Sequence, residues 1–429
     1  MVAGPEKHLV HFASDAIPAD FADQVTSLGA TVDAAYDGVG IAVVSGLSPD
    51  AVTQLASKPG VTDVDPDNAF QFVDDASEAV MADATSVIAS PGNPATAAIF
   101  PFQWNMRAIG AHVAWAAGYL GSPAVKVAIL DTGIDYLHPD LAGRVDLANS
   151  ASFVPSDDAL VAAMFPTRNP VTDLHFHGTH VAATVNSNAV LAAGVSSMTT
   201  LMAVKVIGAN GVGTTSALLA GIVYAVDHGA NVLNLSLEVR DLLSRKDKDL
   251  KDFQKATNRF YSYAHKKGVT VVVAAGNSAL NLDTKHTFKA YCESQHVICV
   301  SATGPTAGGV PGPWTNVDAP ATYTNFGVKS IDLAAPGGNT SSAVFGACST
   351  SSLVIPACRT ALIPIGLQGT SQAAPHVSGV AALLLGAHGP LTPGALQQML
   401  ENSADDLGDS GKDRFYGRGR VSARNAVGL

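Results

Sequence analysis

Charge is scarce in this chain of 429 residues: Asp, Glu, Lys and Arg together make up 14%, against about 25% in an ordinary soluble domain. Among those charges acids outnumber bases, 36 to 25, for a net of −11. The chain therefore lacks the cationic face that releases counterions from nucleic acid, and acidic lipid would repel it. No nucleic acid and no membrane are expected among its partners. Long apolar runs are missing too: stretches such as Val269–Ala275 and Val380–Leu385 fall far short of the ~18 residues that span a bilayer. Met1–Val10 has no basic segment followed by an apolar run, so any secretory signal is expected to have been removed or never to have existed. Cysteine is limited to four residues in two close pairs, Cys292 with Cys299 and Cys348 with Cys358. Four cysteines allow three connectivities. Two short local disulfides are the expected arrangement, with reduced thiols in a reducing compartment as the alternative.

What the chain has in quantity is apolar residues, at 47%, and 40 glycines, a composition that argues against general disorder and suits a tightly wound globular protein. Residues 8–13 alternate as a strand, Phe21, Val25 and Leu28 recur at helical spacing, and Thr31–Ala35 and Gly40–Val44 read as strands. Ser48 followed by Pro49 starts a second helix, and Val61–Val64 and Ala69–Phe72 are extended. The β-α-β-β-α-β order predicts a small ferredoxin-like α+β domain over residues 1–73. Residues 74–102 then form a linker that is rich in Ala, Ser and Asp and holds no Lys or Arg. From residue 103 to 429 the buried runs Val125–Leu130, Leu201–Ile207, Val232–Leu237 and Val269–Ala275 alternate with helix-length segments. That alternation predicts an α/β fold, a parallel central sheet flanked by helices on both faces. The basic stretch Arg240–Lys267 is interleaved with aspartates and with Phe253, Phe260 and Tyr261 at helical spacing. It reads as a solvated helix with an aromatic inner face, not as a nucleic-acid patch.

Four segments carry chemistry. Asp131, in Val127-Ala-Ile-Leu-Asp131-Thr-Gly, ends a buried strand, and ligands of open parallel sheets bind beyond such strand ends. His177, in His175-Phe-His177-Gly-Thr-His180, opens a helix of small residues whose Gly178 and Ala182 permit close packing. Ser371, in Gly369-Thr-Ser371-Gln-Ala-Ala-Pro375-His376, stands at a helix N-terminus, where N–H groups favour developing negative charge. Asn277 follows Gly276 at the end of another buried strand, its amide able to donate to an oxyanion. Each has a bland alternative when taken alone: a turn aspartate, a packing histidine, a serine N-cap, a turn asparagine.

Together, in the order Asp131, His177, Ser371 and in the contexts D-T-G, H-G-T-H and G-T-S-x-A-A-P-H, these residues resemble a subtilisin-like serine peptidase. The resemblance runs from about Gln103 to Leu429, and the first domain is similar to that family's propeptide, a folding assistant and inhibitor. It implies Ser371 as nucleophile, His177 as base and then acid, Asp131 as its orienter and Asn277 as oxyanion donor. It further implies protein or peptide substrates bound as extended strands between Gly211-Val212-Gly213 and Ser236-Leu237-Glu238, with Gly276 beside them, and the chain's own N-terminal domain as an intramolecular inhibitor. A secreted enzyme, cut within residues 73–102 by its own active site and needing no catalytic cofactor or metal, is the expectation. Departures from the family pattern are Glu238 and Val239 in place of glycine, Gln372 in place of a methionine open to oxidation, and a short Asn186–Val195 segment. Asp140 matches a calcium-ligand position without evident partners, so a structural calcium is expected to be lost or replaced. Two other readings remain: a metal-dependent hydrolase using His175, His177 and His180, and a catalytically silent binding protein.

Overall fold

The computed structural model describes residues 6–73, 80–81, 89–238, 248–284, 290–309 and 312–429. Its N-terminal unit runs β1 (Lys7–Phe12), α1 (Phe21–Ser27), β2 (Thr31–Tyr36), β3 (Ile41–Ser45), α2 (Pro49–Ala56) and β4 (Val61–Pro66). The strands form an antiparallel sheet in the order β2-β3-β1-β4. Alternation along the strands gives each face its own role. Val10, Phe12, Ala42 and Val44 meet Phe21 and Val25 of α1 and Ala51 and Leu55 of α2 in one core. Ser48 caps α2 by accepting a bond from Ala51 N at 3.2 Å, as its place before Pro49 predicts.

After β5 (Ala69–Gln71) and β6 (Val80–Met81), the larger unit contains α3 (Trp104–Ala108), α4 (Ala111–Ala116), β7 (Lys126–Asp131), β8 (Ala151–Ser152), α5 (Pro155–Met164) and α6 (His177–Val185). It continues with β9 (Thr200–Lys205), β10 (Val212–Thr214), α7 (Thr215–Asp227), β11 (Val232–Leu235), α8 (Lys248–Lys266), β12 (Thr270–Ala274), β13 (Val297–Thr303) and β14 (Leu333–Pro336). It closes with β15 (Val344–Ala347), β16 (Pro364–Leu367), α9 (Thr370–His388), α10 (Pro393–Ser403) and α11 (Ala423–Ala426). Seven strands build one parallel sheet in the order β14-β13-β12-β11-β7-β9-β8. Successive strand residues point to opposite cores: Val127, Ile129, Val272 and Ala274 face α6 and α9, while Ala128, Leu130, Val271 and Val273 face α7 and α8. The expected sheet with helices on both faces is therefore present, with β8, β13 and β14 added to the four predicted runs. Both expected local disulfides, Cys292–Cys299 and Cys348–Cys358, are formed.

Two sequence expectations need adjustment. Ala69–Phe72 does not extend the N-terminal sheet; β5 leaves it and pairs antiparallel with β10 instead, Gln71 opposite Val212 and Phe70 opposite Gly213. The departure is fixed by Asp67, whose carboxylate accepts from Ser216 N at 2.8 Å and Ser216 Oγ at 2.5 Å in the first turn of α7, a placement the helix dipole favours. The basic helix α8 is covered as well as solvated. Its Phe253 and Phe260 share a cluster with Leu9, Ile41 and Val43 of the N-terminal sheet, and Arg259 donates to Gly40 O at 2.9 Å and Phe12 O at 2.8 Å. Residues 240–247 of that basic stretch, and 74–79 and 82–88 of the linker, lie outside the described residues.

Candidate active site

Every strand of a parallel sheet ends on the same side, so Asp131 at the end of β7, Ser236 just after β11 and Asn277 just after β12 reach one rim. His177 opens α6, and Ser371 lies in the first turn of α9 above the same rim. Asp131 is fully buried, and its two carboxylate oxygens stand 2.8 and 3.0 Å from His177 Nδ1. The ring therefore donates from Nδ1 and keeps Nε2 as its acceptor, the tautomer a general base needs. Asp131 also accepts from Thr132 N at 2.7 Å. Helix α6 comes this close because residue 178 is glycine: a Cβ there would lie 2.1 Å from the Gly133 carbonyl and 3.2 Å from Asp131.

A second carboxylate supports this pair. Asp173, fully buried, accepts from Thr132 Oγ1 (2.9 Å), His175 N (2.9 Å), Thr179 N (3.0 Å) and Thr179 Oγ1 (2.6 Å). Thr132 Oγ1 in turn accepts from Gly178 N at 2.9 Å. The turn that carries Asp131 and the helix that carries His177 are thus tied to one buried anion, whose pKa burial pushes up to about 6.

Ser371 is not the N-cap of its helix; that position is Gly369, and the serine hydroxyl makes no capping bond. Pro375 has no N–H to return to the carbonyl four residues back. The orphaned Ser371 carbonyl takes the Ser236 hydroxyl instead, at 2.7 Å. Asn234 Nδ2 donates to Ser236 Oγ at 2.8 Å and its Oδ1 accepts from Ser378 Oγ at 2.8 Å, closing a buried network that anchors the serine turn to β11. Asn277 Oδ1 accepts from Thr370 N (2.8 Å) and Thr370 Oγ1 (3.0 Å), which fixes the amide beside Ser371. Its Nδ2 donates one hydrogen to Glu238 Oε2 at 2.8 Å, leaving the second. The Ser371 hydroxyl is not hydrogen-bonded to the His177 ring in this state; catalytic contacts of this kind commonly tighten only around substrate.

His180 and His376 are internal supports. His180 Nε2 lies 3.0 Å from Val344 O, and His376 uses Nδ1 on Gln372 O (2.8 Å) and Nε2 on Asn105 Nδ2 (2.9 Å). His175 stacks on Phe176, and its Nδ1 accepts from His177 N at 3.3 Å. The metal reading of His175, His177 and His180 finds no support: among the described residues the one group of carboxylates and rings close enough to share an ion is Asp63, Asp65 and Asp252, far from these histidines in sequence. Asp140 does not fit a calcium ligand either. Its oxygens accept from the backbone of Val190 (2.8 Å), Leu191 (2.9 Å) and Ala192 (3.1 Å), so the short Asn186–Val195 loop is held by its own amides instead.

The cleft beside Ser371 has two walls, and a strand of the same chain lies between them. Gly211 O accepts from Phe72 N at 2.9 Å and Val73 N at 3.3 Å, and Glu238 N donates to Phe72 O at 3.1 Å. The glycines make room: a Cβ on Gly211 would lie 2.3 Å from Val73 O, and one on Gly213 would lie 3.1 Å from the Phe72 ring. Val212 pairs through its backbone with Gln71, and Leu237 turns into the core cluster that holds Phe72. Gly276, in the left-handed region at φ 96°, turns the chain so that Asn277 faces this cleft.

Residues 122–419 match the model of the peptidase S8 subtilase family. The chain belongs to the subtilase family. Thermitase of Thermoactinomyces vulgaris is 33% identical over 76% of this subtilase and 95% of its own length. The thermophilic serine proteinase of Bacillus sp. strain AK1 is 34% identical over 72% of this chain, which spans 62% of that relative's length. The solved structure of a lanthipeptide protease is similar at 26% identity with a TM-score of 0.60, covering 77% of this chain and 94% of that one. The epidermin leader peptide processing serine protease of Staphylococcus aureus shares the fold across 99% of this subtilase and 98% of itself, with a TM-score of 0.73 at 22% identity.

The buried histidines give this subtilase a pH signature. Burial lowers the pKa of His175 and His180 to about 3 and that of His376 to about 4. The unfolded chain takes up these protons below about pH 6.5 while the folded one does not. Stability is therefore complete above that pH and is lost as pH falls towards 4, by about 2 kcal/mol per ring at pH 5. Asp173, with its pKa raised to about 6, works in the opposite direction and returns part of the loss. The urea midpoint of a Ser371→Ala chain should be clearly lower at pH 5 than at pH 7. An equal or higher midpoint at pH 5 would mean that the rings are not held neutral.

Proposed function

We propose that this subtilase is a secreted serine endopeptidase made as a self-inhibited precursor, with residues 1–73 as the inhibitor, 74–102 as the connecting segment that is cut, and 103–429 as the catalytic domain. The observation that carries the proposal is the Phe72–Val73 tail, which lies between Gly211 and Glu238 in the backbone pairing an extended substrate would use. Two disulfides suit an oxidising compartment outside the cell. Thermitase and the AK1 proteinase carry peptidase names, which supports the reaction class.

The chemistry follows from the bonding pattern. His177 Nε2 takes the Ser371 proton as Ser371 Oγ attacks the substrate carbonyl carbon, and Asp131 stabilises the imidazolium. The oxyanion is held by the free hydrogen of Asn277 Nδ2 and by the Ser371 N–H, which as a first-turn amide has no intrahelical acceptor. The peptide C–N bond breaks as His177 gives its proton to the leaving amine. Water then attacks the acyl-enzyme, and its proton passes through His177 back to Ser371. A purified chain followed by intact mass should separate into two fragments cut within residues 74–102, at a first-order rate independent of protein concentration. A rate that scales with concentration, or a cut elsewhere, would refute intramolecular maturation.

A further inference from the structure

The walls of the first specificity pocket, where the side chain on the acyl side of the scissile bond enters, are formed in this reading by Ser236–Glu238 and Gly276–Ser278. Glu238 spans them. Its backbone N–H belongs to the strand-binding wall, donating to Phe72 O at 3.1 Å. Its carboxylate crosses to the opposite wall and accepts from Asn277 N at 2.7 Å, Asn277 Nδ2 at 2.8 Å and Ser278 Oγ at 3.2 Å. The residue is 8% exposed, and no lysine or arginine approaches it among the described residues. Three donors on one carboxylate hold a side chain in a single rotamer more firmly than any one of them, so the bridge is a fixed part of the pocket floor.

Resting on the peptidase reading above, we infer that Glu238 shortens this pocket and makes the enzyme select small, uncharged acyl-side residues, alanine and serine above all. A large side chain would have to break the three bonds and leave the carboxylate unsatisfied. An acidic one would meet like charge. A long cation would meet an anion already saturated by donors and would have to shed its own water to reach it.

The linker sequence supports the same selection independently. Residues 74–102, the segment this peptidase must cut first, contain eight alanines and three serines and no Tyr, Trp, Leu, Lys or Arg, and their two phenylalanines, Phe100 and Phe102, stand at the far end. A basic-specific pocket would find nothing there to accept, and a deep apolar one would be outnumbered in targets by the alanines and serines. Asp74, next in sequence after Val73, carries the charge that Glu238 rejects, so the cut belongs further along, after an alanine or serine.

The test is a series of tetrapeptide anilides that share their first three residues and end in Ala, Ser, Phe, Lys or Glu, assayed on the matured enzyme. The alanine and serine substrates should have kcat/KM at least 10-fold above the Phe, Lys and Glu substrates. Glu238→Gly should reverse the Ala-to-Phe ratio, and Glu238→Gln, of the same size, should keep the Ala preference while relaxing rejection of Glu. N-terminal sequencing of the matured chain should find Ala or Ser before the cut. Preference for Phe, preference for Lys, a Glu238→Gly profile like the parent's, or a cut after Asp74 would each overturn the inference. Failure to hydrolyse any substrate, by a chain that also leaves its own linker intact, would instead strike the peptidase reading.

Discussion

Ser371→Ala is expected to reduce casein hydrolysis by roughly 10⁴- to 10⁶-fold, the range lost when a serine nucleophile is removed from such a constellation. The same variant should remain at its full mass while the parent chain is cut. The Ser371 hydroxyl takes no part in holding the fold. It neither caps α9 nor joins the Asn234–Ser236–Ser378 network, which engages the Ser371 carbonyl instead. Removing Oγ therefore deletes the proposed nucleophile and leaves every fold contact in place, so the stability read from the urea midpoint should change by no more than about 0.5 kcal/mol. A variant that lost both activity and stability would show the serine to be structural. A variant that kept hydrolysing casein would place the nucleophile elsewhere.

Asp131→Asn should lower kcat by about 10⁴-fold with the fold intact. In the parent, both Asp131 oxygens face His177 Nδ1, and Thr132 N donates to Oδ1 at 2.7 Å. An asparagine keeps the acceptor towards Thr132 and must turn its NH₂ towards the ring. Nδ1 then becomes the acceptor, the proton moves to Nε2, and the nitrogen facing Ser371 can no longer take its hydrogen. The signature is a fall in kcat with KM little changed, measured on one alanine-ending anilide. An equal rise in KM would point to disturbed binding, and an unchanged kcat would remove Asp131 from the mechanism.

The sequence made the architecture legible wherever a side-chain period reports burial. Strands β7, β9, β11 and β12 are runs buried on two faces, and the N-terminal unit alternates with a period of two. Strand β14, Leu-Ala-Ala-Pro, is four residues long and has no period to read. Ala69–Phe72 was recognised as extended but not assigned its partner, because the room beside Gly211 and Gly213 selects β10 over the N-terminal sheet. At the site, their sequence contexts mark Asp131, His177, Ser371 and Asn277 as candidates, and the fold brings the four to one rim of the sheet. What remained hidden were contacts made by polar side chains across the fold. Asp173 gathers four donors from three segments, Ser236 replaces the bond Pro375 cannot make, Asp140 binds amides, and Glu238 reaches a wall 39 residues away. None of these has a period or a local spacing, so three-dimensional placement was needed to find them.

The central claim concerns one oxygen atom. Incubation of the full chain with a fluorophosphonate through its maturation, followed by peptide mass mapping, asks directly whether that oxygen is activated. The account predicts a single adduct on Ser371, appearing as the linker is cut and nearly absent in Asp131→Asn. An adduct on a different residue, or no adduct on a chain that digests casein and is silenced by a chelator, would contradict it.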